Sequence, residues 1–572
     1  MSRVANGRLR LARAVALLLL LPAGAAAQLP PPLPGIIERV SPQEVPRLAP
    51  SPAPAAPEVR RGPGEDRVVR IGRVELTDAT VLTAAALAPT FAGLEGQVVS
   101  LRRIEEARVA VLSAFRAAGY PFVAANALLV PVGDGSFDLR LAVVEAEIVE
   151  IRLDGDIGPA ATQALRFAEP LSRMGPLQGA ALERALLLIS DIPGVSVQGV
   201  LQPIADRPGA LRLVLQLDRQ PFSGLVTADN RGFRRTGPIQ SLAVLQANSF
   251  TEFGERTEVS LYGTEALSQR FGQVSAEWFV GGSGLRVRAY AGQGETEPRG
   301  VLAAIGYQGQ STVAGAGVSY PLIRSRPANL TLLGQYDVFD GSVDAANGAV
   351  AARDEVHALR FGVQGQLLDP WEIGSLPPGI TFGIARLHQG IGGSLERSTR
   401  AGSADDFTKL TGEVQRNQPL AAFGEEIGLG LQLLLSGQAS SSVLPVSEKF
   451  LLGGARITRG YFAGQVSGDS GWAAGAELQL ETGVDLPGAM AFGVQRLQVQ
   501  GYVFYDYGRA WQNTTLERDI SLASFGGGVR LFFDRHVQLE AELVRRLERR
   551  PDGAGTSRED PVGAFLSLVA RY

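Results

Sequence analysis

The ten residues VQLEAELVRR, Val537 to Arg546, alternate over their first seven positions. Val537, Leu539, Ala541 and Leu543 point one way along an extended chain, and Gln538, Glu540 and Glu542 point the other. A helix would scatter both sets around its circumference. The segment therefore reads as a strand with one apolar and one charged face. Such strands suit a soluble sandwich or a transmembrane barrel.

The same alternation recurs on either side. LRVRAYAG sets Leu285, Val287 and Ala289 against Arg286, Arg288 and Tyr290. AELQLE sets Ala476, Leu478 and Leu480 against Glu477, Gln479 and Glu481. From Pro221 onward the helical signal vanishes. Residues 221–572 have room for 16 units of about 22 residues, each a strand of roughly ten plus its connections. The apolar faces carry small and medium side chains suited to lipid, which favours the barrel. The final AFLSLVARY places Leu566, Leu568, Ala570 and Tyr572 on one face and ends the chain on an aromatic.

The N-terminal part differs. Arg3, Arg8, Arg10 and Arg13 precede a short apolar run, Ala14 to Leu21, and an Ala25-Ala26-Ala27 site. Residues 1–27 thus read as a signal peptide cut after Ala27, too short in its apolar core to span a bilayer. The mature chain is expected outside the cytoplasm, where ATP is unavailable. Residues 28–67 are a proline-rich linker in which GIIERV, Gly35 to Val40, has room for a short helix stopped by Pro42.

Residues 68–147 read as β-α-β-β, with space for a second short helix at Ala79–Leu87. Their main helix places Ile104, Ala107, Val111, Leu112 and Phe115 on one face, between a Ser100 cap and a Gly119 stop. Residues 148–219 repeat that order, with GAALERALLLISDIPG as the helix. Two copies of one small α/β module make an internal repeat.

Composition excludes several functions. The 572 residues include no cysteine, so disulfides and thiolate metal sites are ruled out. The net charge of −4 gives no reason to expect nucleic-acid binding. The three histidines are scattered, so neither a metal nor another cofactor is expected. The lysines, Lys409 and Lys449, do not sit in the glycine-rich spacing of a nucleotide-binding loop. GDSG, Gly468 to Gly471, looks like a serine-protease loop, but Trp472 replaces the further glycine. Neither His357 nor His388 has the setting of a catalytic base. No enzyme activity is expected.

Three motifs remain. ADNRGFRRTG contains Asn230, Gly232, Thr236 and Gly237 at the entry to the strand-rich part. LPVSEKFLLGGARITRGYFAGQVSGDSGWAAGAEL is a long glycine-rich segment with Gly453 and Gly454 before Arg459-Gly460-Tyr461. GYVFYDYG runs from Gly501 to Gly508. In the last, Leu497, Val499, Val503 and Tyr505 share an apolar face, and Gln498, Gln500, Tyr502, Phe504 and Asp506 share the other.

Together, the signal peptide, tandem modules, long strand-rich part and three motifs resemble the two-partner secretion transporters (TpsB). These exporters of haemolysins and filamentous haemagglutinins lie within the superfamily of the outer-membrane insertases. The resemblance covers about Val68 to Tyr572. It implies two periplasmic POTRA modules (68–147 and 148–219) followed by a 16-stranded antiparallel transmembrane β-barrel (221–572). A lumenal loop at about 444–475 would carry the tip Arg459-Gly460-Tyr461, with Asp506 on a barrel strand as its ion-pair partner. Thr458 departs from the valine usual in the family. Leu568, Ala570 and Tyr572 resemble the C-terminal signal read by the outer-membrane barrel assembly machinery. The implied partners are one unfolded exoprotein and outer-membrane lipid. The implied activity is export without ATP, with a related insertase as the alternative.

Overall fold

A computed structural model of the chain describes residues 58–59 and 64–572. Residues 134, 234–235, 300–302, 304–305, 346–348, 371–373, 425, 486–495 and 552–557 are excepted. The expected signal peptide and nearly all of the expected linker lie outside the described residues.

The first module contains β1 (Val68–Thr77), α1 (Ala84–Phe91), β2 (Val98–Ser100), α2 (Leu101–Ala117), β3 (Ala124–Pro131) and β4 (Phe137–Val144). Its sheet has the order β2-β1-β4-β3, with β1 and β4 parallel. The Ser100 hydroxyl accepts from Arg103 N at the start of α2, and Gly119 takes a φ of +91° just past its end. Ile104, Ala107, Val111 and Phe115 of α2 are buried against Leu139, Leu141 and Val143 of β4. Fully burying each large apolar side chain contributes about 1.5–3 kcal/mol. α1 begins later than the sequence suggests, because the Thr83 hydroxyl caps it by accepting from Ala86 N.

The second module has β5 (Glu147–Asp154), α3 (Ala161–Ala168), α4 (Gly179–Ser190), β6 (Val195–Pro203) and β7 (Ala210–Arg219). Its sheet has the order β5-β7-β6. α3 is not legible in the sequence. Turn residues crowd both its flanks, and its Gln163 is fully buried. Gln163 Nε2 donates to Gly281 O of the next domain, 2.8 Å away, a partner local periodicity does not reveal.

Sixteen antiparallel strands among the described residues close into a barrel, from Phe222–Asp229 to Val562–Arg571. The closing ladder pairs Ser567 with Asp229 and Arg571 with Leu225. Closure leaves no strand edge unpaired, which a spanning sheet requires because lipid cannot satisfy backbone groups.

The burial pattern is the inverse of a soluble core. On Val537–Arg546, Glu542 is buried while Leu543 is 64% exposed. On Arg496–Trp511, Gln500, Tyr502, Phe504 and Asp506 are buried while Val503 and Tyr505 are exposed. Charged groups turn to the lumen and leucines and valines turn outward, as lipid demands. Outward aromatics pair near both rims: Phe222 with Phe250 on the module side, and Trp472 with Tyr507 on the far side.

The second module rests on the turns of the near rim. Asp191 takes two hydrogen bonds from Arg324, Nε at 2.9 Å and Nη2 at 2.7 Å. Arg166 pairs with Glu252, Arg219 donates to Ser249 O, and the Phe167 and Phe279 rings meet edge to face at 5.2 Å.

Candidate functional site: a lumenal loop clamped to the wall

One connection on the far rim does not stay outside. Between the strands Ile427–Ser440 and Ser470–Asp485 the chain turns into the barrel. Within it, Phe450–Leu452 pairs with Val466–Gly468, forming a narrow two-stranded stem. The sequence suggested a loop to about 475, but the wall strand begins at Ser470. Gly471 and Gly475 look too glycine-rich for a strand because lumenal groups press on them. A Cβ at Gly475 would lie 2.8 Å from Asp506 Oδ1.

The far end of the stem is a tight turn. Gly453 and Gly454 have φ of +97° and +116°, and Thr458 has φ of +55°. A Cβ at Gly453 would run into Phe462 O. Thr458 is β-branched and would ordinarily avoid this region. Its Oγ1 accepts from Gly453 N at 2.7 Å and donates to Ile457 O at 2.6 Å, bonds a valine would lack.

This turn delivers Arg459 to the wall. Its Nε lies 2.9 Å and its main-chain N 3.0 Å from Asp506 Oδ2, and Nη2 lies 3.2 Å from Oδ1. Nη1 donates to Glu477, and the guanidinium lies over the Phe504 ring, 3.5 Å from its centroid. Arg459 and Asp506 are both buried. A planar guanidinium suits this set, since it offers a fork to one carboxylate, an edge to another and a face to a ring.

Gly460 and Tyr461 complete the contact. Gly460 N donates to Ser524 Oγ at 3.2 Å, and its carbonyl accepts from Arg546 Nε. A Cβ on Gly460 would lie 2.8 Å from that of Ser524. Tyr461 is fully buried, with its hydroxyl 2.9 Å from both Ala523 O and Glu548 O. Gly508 faces inward, where a Cβ would lie 2.8 Å from Leu452 and 3.0 Å from Thr458. Gly501 faces outward with nothing within 4 Å.

The barrel-entry motif reaches the same place. Asn230 bridges the closing seam, donating to Ala564 O at 3.1 Å and accepting from Leu566 N at 2.9 Å. Gly232 N donates to Pro238 O at 2.7 Å, and Gly237 has φ of +108°. Between them Arg231 enters the lumen. It donates to Arg459 O and to Glu542 Oε1, and it covers the Phe565 ring at 3.9 Å. Sequence reasoning passed over Arg231 and Arg530, and placed Glu542 on an inward face without a partner. Arg530 holds Glu477 and Glu540 from the next strand. Inward alternation in VQLEAELVRR flagged Glu542, but alternation cannot name a partner 311 residues away.

The loop's other arm is tied to the strands before it. Glu448 lies 2.8 Å from both Arg360 Nη2 and Lys409 Nζ. Lys449 Nζ lies 2.6 Å from Glu517 Oε2, so both lysines of the chain hold this loop. Leu568 and Tyr572 lie on the exposed outer face, and Tyr572 exchanges main-chain hydrogen bonds with Gly224 across the seam. Ala570 is half-buried on the same strand.

Ser470 is buried, and its hydroxyl lies 3.0 Å from both Ser440 N and Ser440 O. Among the described residues, no group of three or more His, Asp or Glu is placed to hold a metal ion.

The arrangement can hold a polar loop inside a sealed, lipid-facing cylinder. Solved structures of similar fold are CdiB from Escherichia coli and CdiB from Acinetobacter baumannii. The first has a TM-score of 0.68 and 17% identity, covering 90% of this chain and 92% of that one. The second has a TM-score of 0.60 and 16% identity, covering 92% and 95%. In sequence, the heme/hemopexin transporter protein HuxB of Haemophilus influenzae strain 86-028NP is 22% identical over 465 residues. That match covers 79% of this chain and 78% of the relative. HuxB of strain Rd is also 22% identical, over 467 residues. Residues 210–531 match the family model described as haemolysin secretion/activation protein ShlB/FhaC/HecB, more than half of the chain. With the closed 16-stranded barrel and its tandem modules, that match places the chain in the ShlB/FhaC/HecB family, as an outer-membrane two-partner secretion transporter with periplasmic POTRA modules.

Proposed function

We propose that this transporter receives one large unfolded exoprotein in the periplasm and passes it through its own barrel to the cell surface. The observation that supports this most is the placement of the second module. It is docked on the near-rim turns through Asp191 and Arg324, and β6 is an edge strand of its sheet, paired only with β7. An extended segment of the exoprotein adds to that edge, main-chain bonds giving affinity and side chains specificity. The contact region is the β6–β7 pair, between Val195 and Leu217.

Transport proceeds without ATP, drawn outward by folding of the exoprotein at the surface. Arg459 and Asp506 hold the lumenal loop in the conformation export requires. Outer-membrane lipid surrounds the barrel, and Leu568, Ala570 and Tyr572 present the strand by which the barrel assembly machinery inserts it.

The test is co-expression with a candidate exoprotein, a large secreted protein to be sought in the genes beside this one. The wild type should deliver it to the medium, while Arg459→Ala at equal membrane abundance should deliver little. Wild-type delivery by Arg459→Ala would remove the role given to the loop. If no exoprotein is delivered but other barrels fail to assemble on depletion, the related insertase activity is the correct reading.

A further inference from the structure

The export reading leaves the GDSG segment, Gly468 to Gly471, without a purpose. At the neck of the lumenal loop each of its residues has one. Asp469 is fully buried, and its carboxylate accepts from four N–H groups. Oδ1 takes Arg400 Nη1 at 2.5 Å and Leu444 N at 2.7 Å. Oδ2 takes Arg400 Nη2 at 2.8 Å and Asn513 N at 2.7 Å. Leu444 is where the loop departs and Asp469 is where it returns, so one carboxylate draws the two ends together.

Arg400 and Asn513 belong to the neighbouring far-rim connections, which are tied in as well. Arg400 also donates to Leu444 O at 2.7 Å and to Gln512 Oε1 at 3.1 Å. Ser470 Oγ is held by Ser440, at the end of the preceding wall strand. A Cβ at Gly468 would lie 2.8 Å from Trp511 O, and one at Gly471 would lie 2.9 Å from Arg509 O. The small residues let the neck lie flat against the wall.

The tip is held otherwise. Thr458 carries a left-handed φ that β-branched residues rarely adopt, and side chains and main chain from Arg456 to Ala463 press it to the wall, through Glu413, Asp506, Ser524 and Arg231. From 441 to 452 and from 465 to 470 no residue has a left-handed φ. The neck is relaxed, and the tip is strained.

We propose that Asp469 is a positioning residue that fixes the pivot of the lumenal loop. The neck stays clasped to Arg400 on the far rim, and the strained tip is the part that leaves Asp506 when the lumen opens. The purpose of such a pivot rests on the export reading, but its test does not.

The chain has no cysteine, so Ala455→Cys on the exposed part of the loop gives a single labelling site. A large, membrane-impermeant maleimide is applied from outside to outer membranes carrying the full-length protein. In Arg459→Ala the clasped neck keeps the loop inside. With Asp469→Asn added to Arg459→Ala the loop swings to the surface, and labelling should exceed that of Arg459→Ala alone about tenfold or more, as loss of a charge-assisted bond to a buried group allows. A ratio below about threefold, or faster labelling in Arg459→Ala, overturns the proposal. Where Asp469→Asn does not assemble, Arg400→Gln replaces it, because it leaves Asp469 its two main-chain donors. Labelling of that double variant at the Arg459→Ala rate overturns the proposal equally. No exported protein is needed, so failure of the export reading leaves this result standing, and the reverse holds too.

Discussion

Arg231 donates a hydrogen bond to the main-chain carbonyl of Arg459. Two arginines approach one another in the lumen because Asp506, Glu477, Glu542 and Glu540 surround them and Arg530. The loop tip is therefore held by the barrel-entry segment as well as by the Asp506 strand. Arg231→Ala leaves the buried Glu542 with only the longer cation contact, to Arg459 at 4.0 Å, and truncating one partner of a buried pair costs about 3–5 kcal/mol, less where water enters or a second cation remains. Arg231→Ala and Arg459→Ala should be non-additive in urea unfolding of the purified barrel, with a coupling of about 0.5–3 kcal/mol. Strict additivity would mean that the two arginines act independently.

Arg459→Lys should fail to restore export. An ammonium matches the charge but has no fork for the two oxygens of Asp506 and no face for Phe504. Delivery of the exoprotein should fall toward the Arg459→Ala level at unchanged barrel abundance. Delivery at the wild-type level would show that charge alone holds the tip.

The glycines that open and close GYVFYDYG make a matched pair. Gly508→Ala drives a methyl into Leu452 and Thr458 beneath the loop, whereas Gly501→Ala meets nothing within 4 Å. The first should lower export and thermal stability, overpacking costing about 1–3 kcal/mol. The second should leave both within error. Heat-modifiable migration on gels and secretion assays read the two outcomes, and equal behaviour would contradict the placement of the loop stem.

How much of this was legible depends on the range of each contact. Alternation is local, so VQLEAELVRR and GYVFYDYG declare their inward faces without any partner, and the barrel follows from repetition. The stem of the loop was hidden because glycine carries no periodic signal, and Gly471 and Gly475 are strand residues for reasons that lie across the lumen. Arg231 sits in a turn-like NRG tripeptide whose meaning depends on Glu542 and Arg459, hundreds of residues away. α3 was obscured for the same reason, since the amide nitrogen of its buried Gln163 is satisfied by Gly281 of the barrel rim.

The docking of the second module makes a final prediction. Asp191 receives both Nε and Nη2 of Arg324 and lies 3.8 Å from Arg286, so one carboxylate joins the end of α4 to two barrel strands. These side chains are partly exposed, so the pair is weaker than those of the lumen and is screened by salt. Asp191→Ala should free the second module from the rim while both it and the barrel remain folded. Limited proteolysis should then cut near Pro221 faster in the variant than in the wild type, and high salt should narrow the difference by accelerating the wild type. If the cutting rates agree at low salt, the remaining contacts, among them the apolar contact of Phe167 with Phe279 and the side-chain bond from Gln163 Nε2 to Gly281 O, suffice to hold the module, and Asp191 is dispensable.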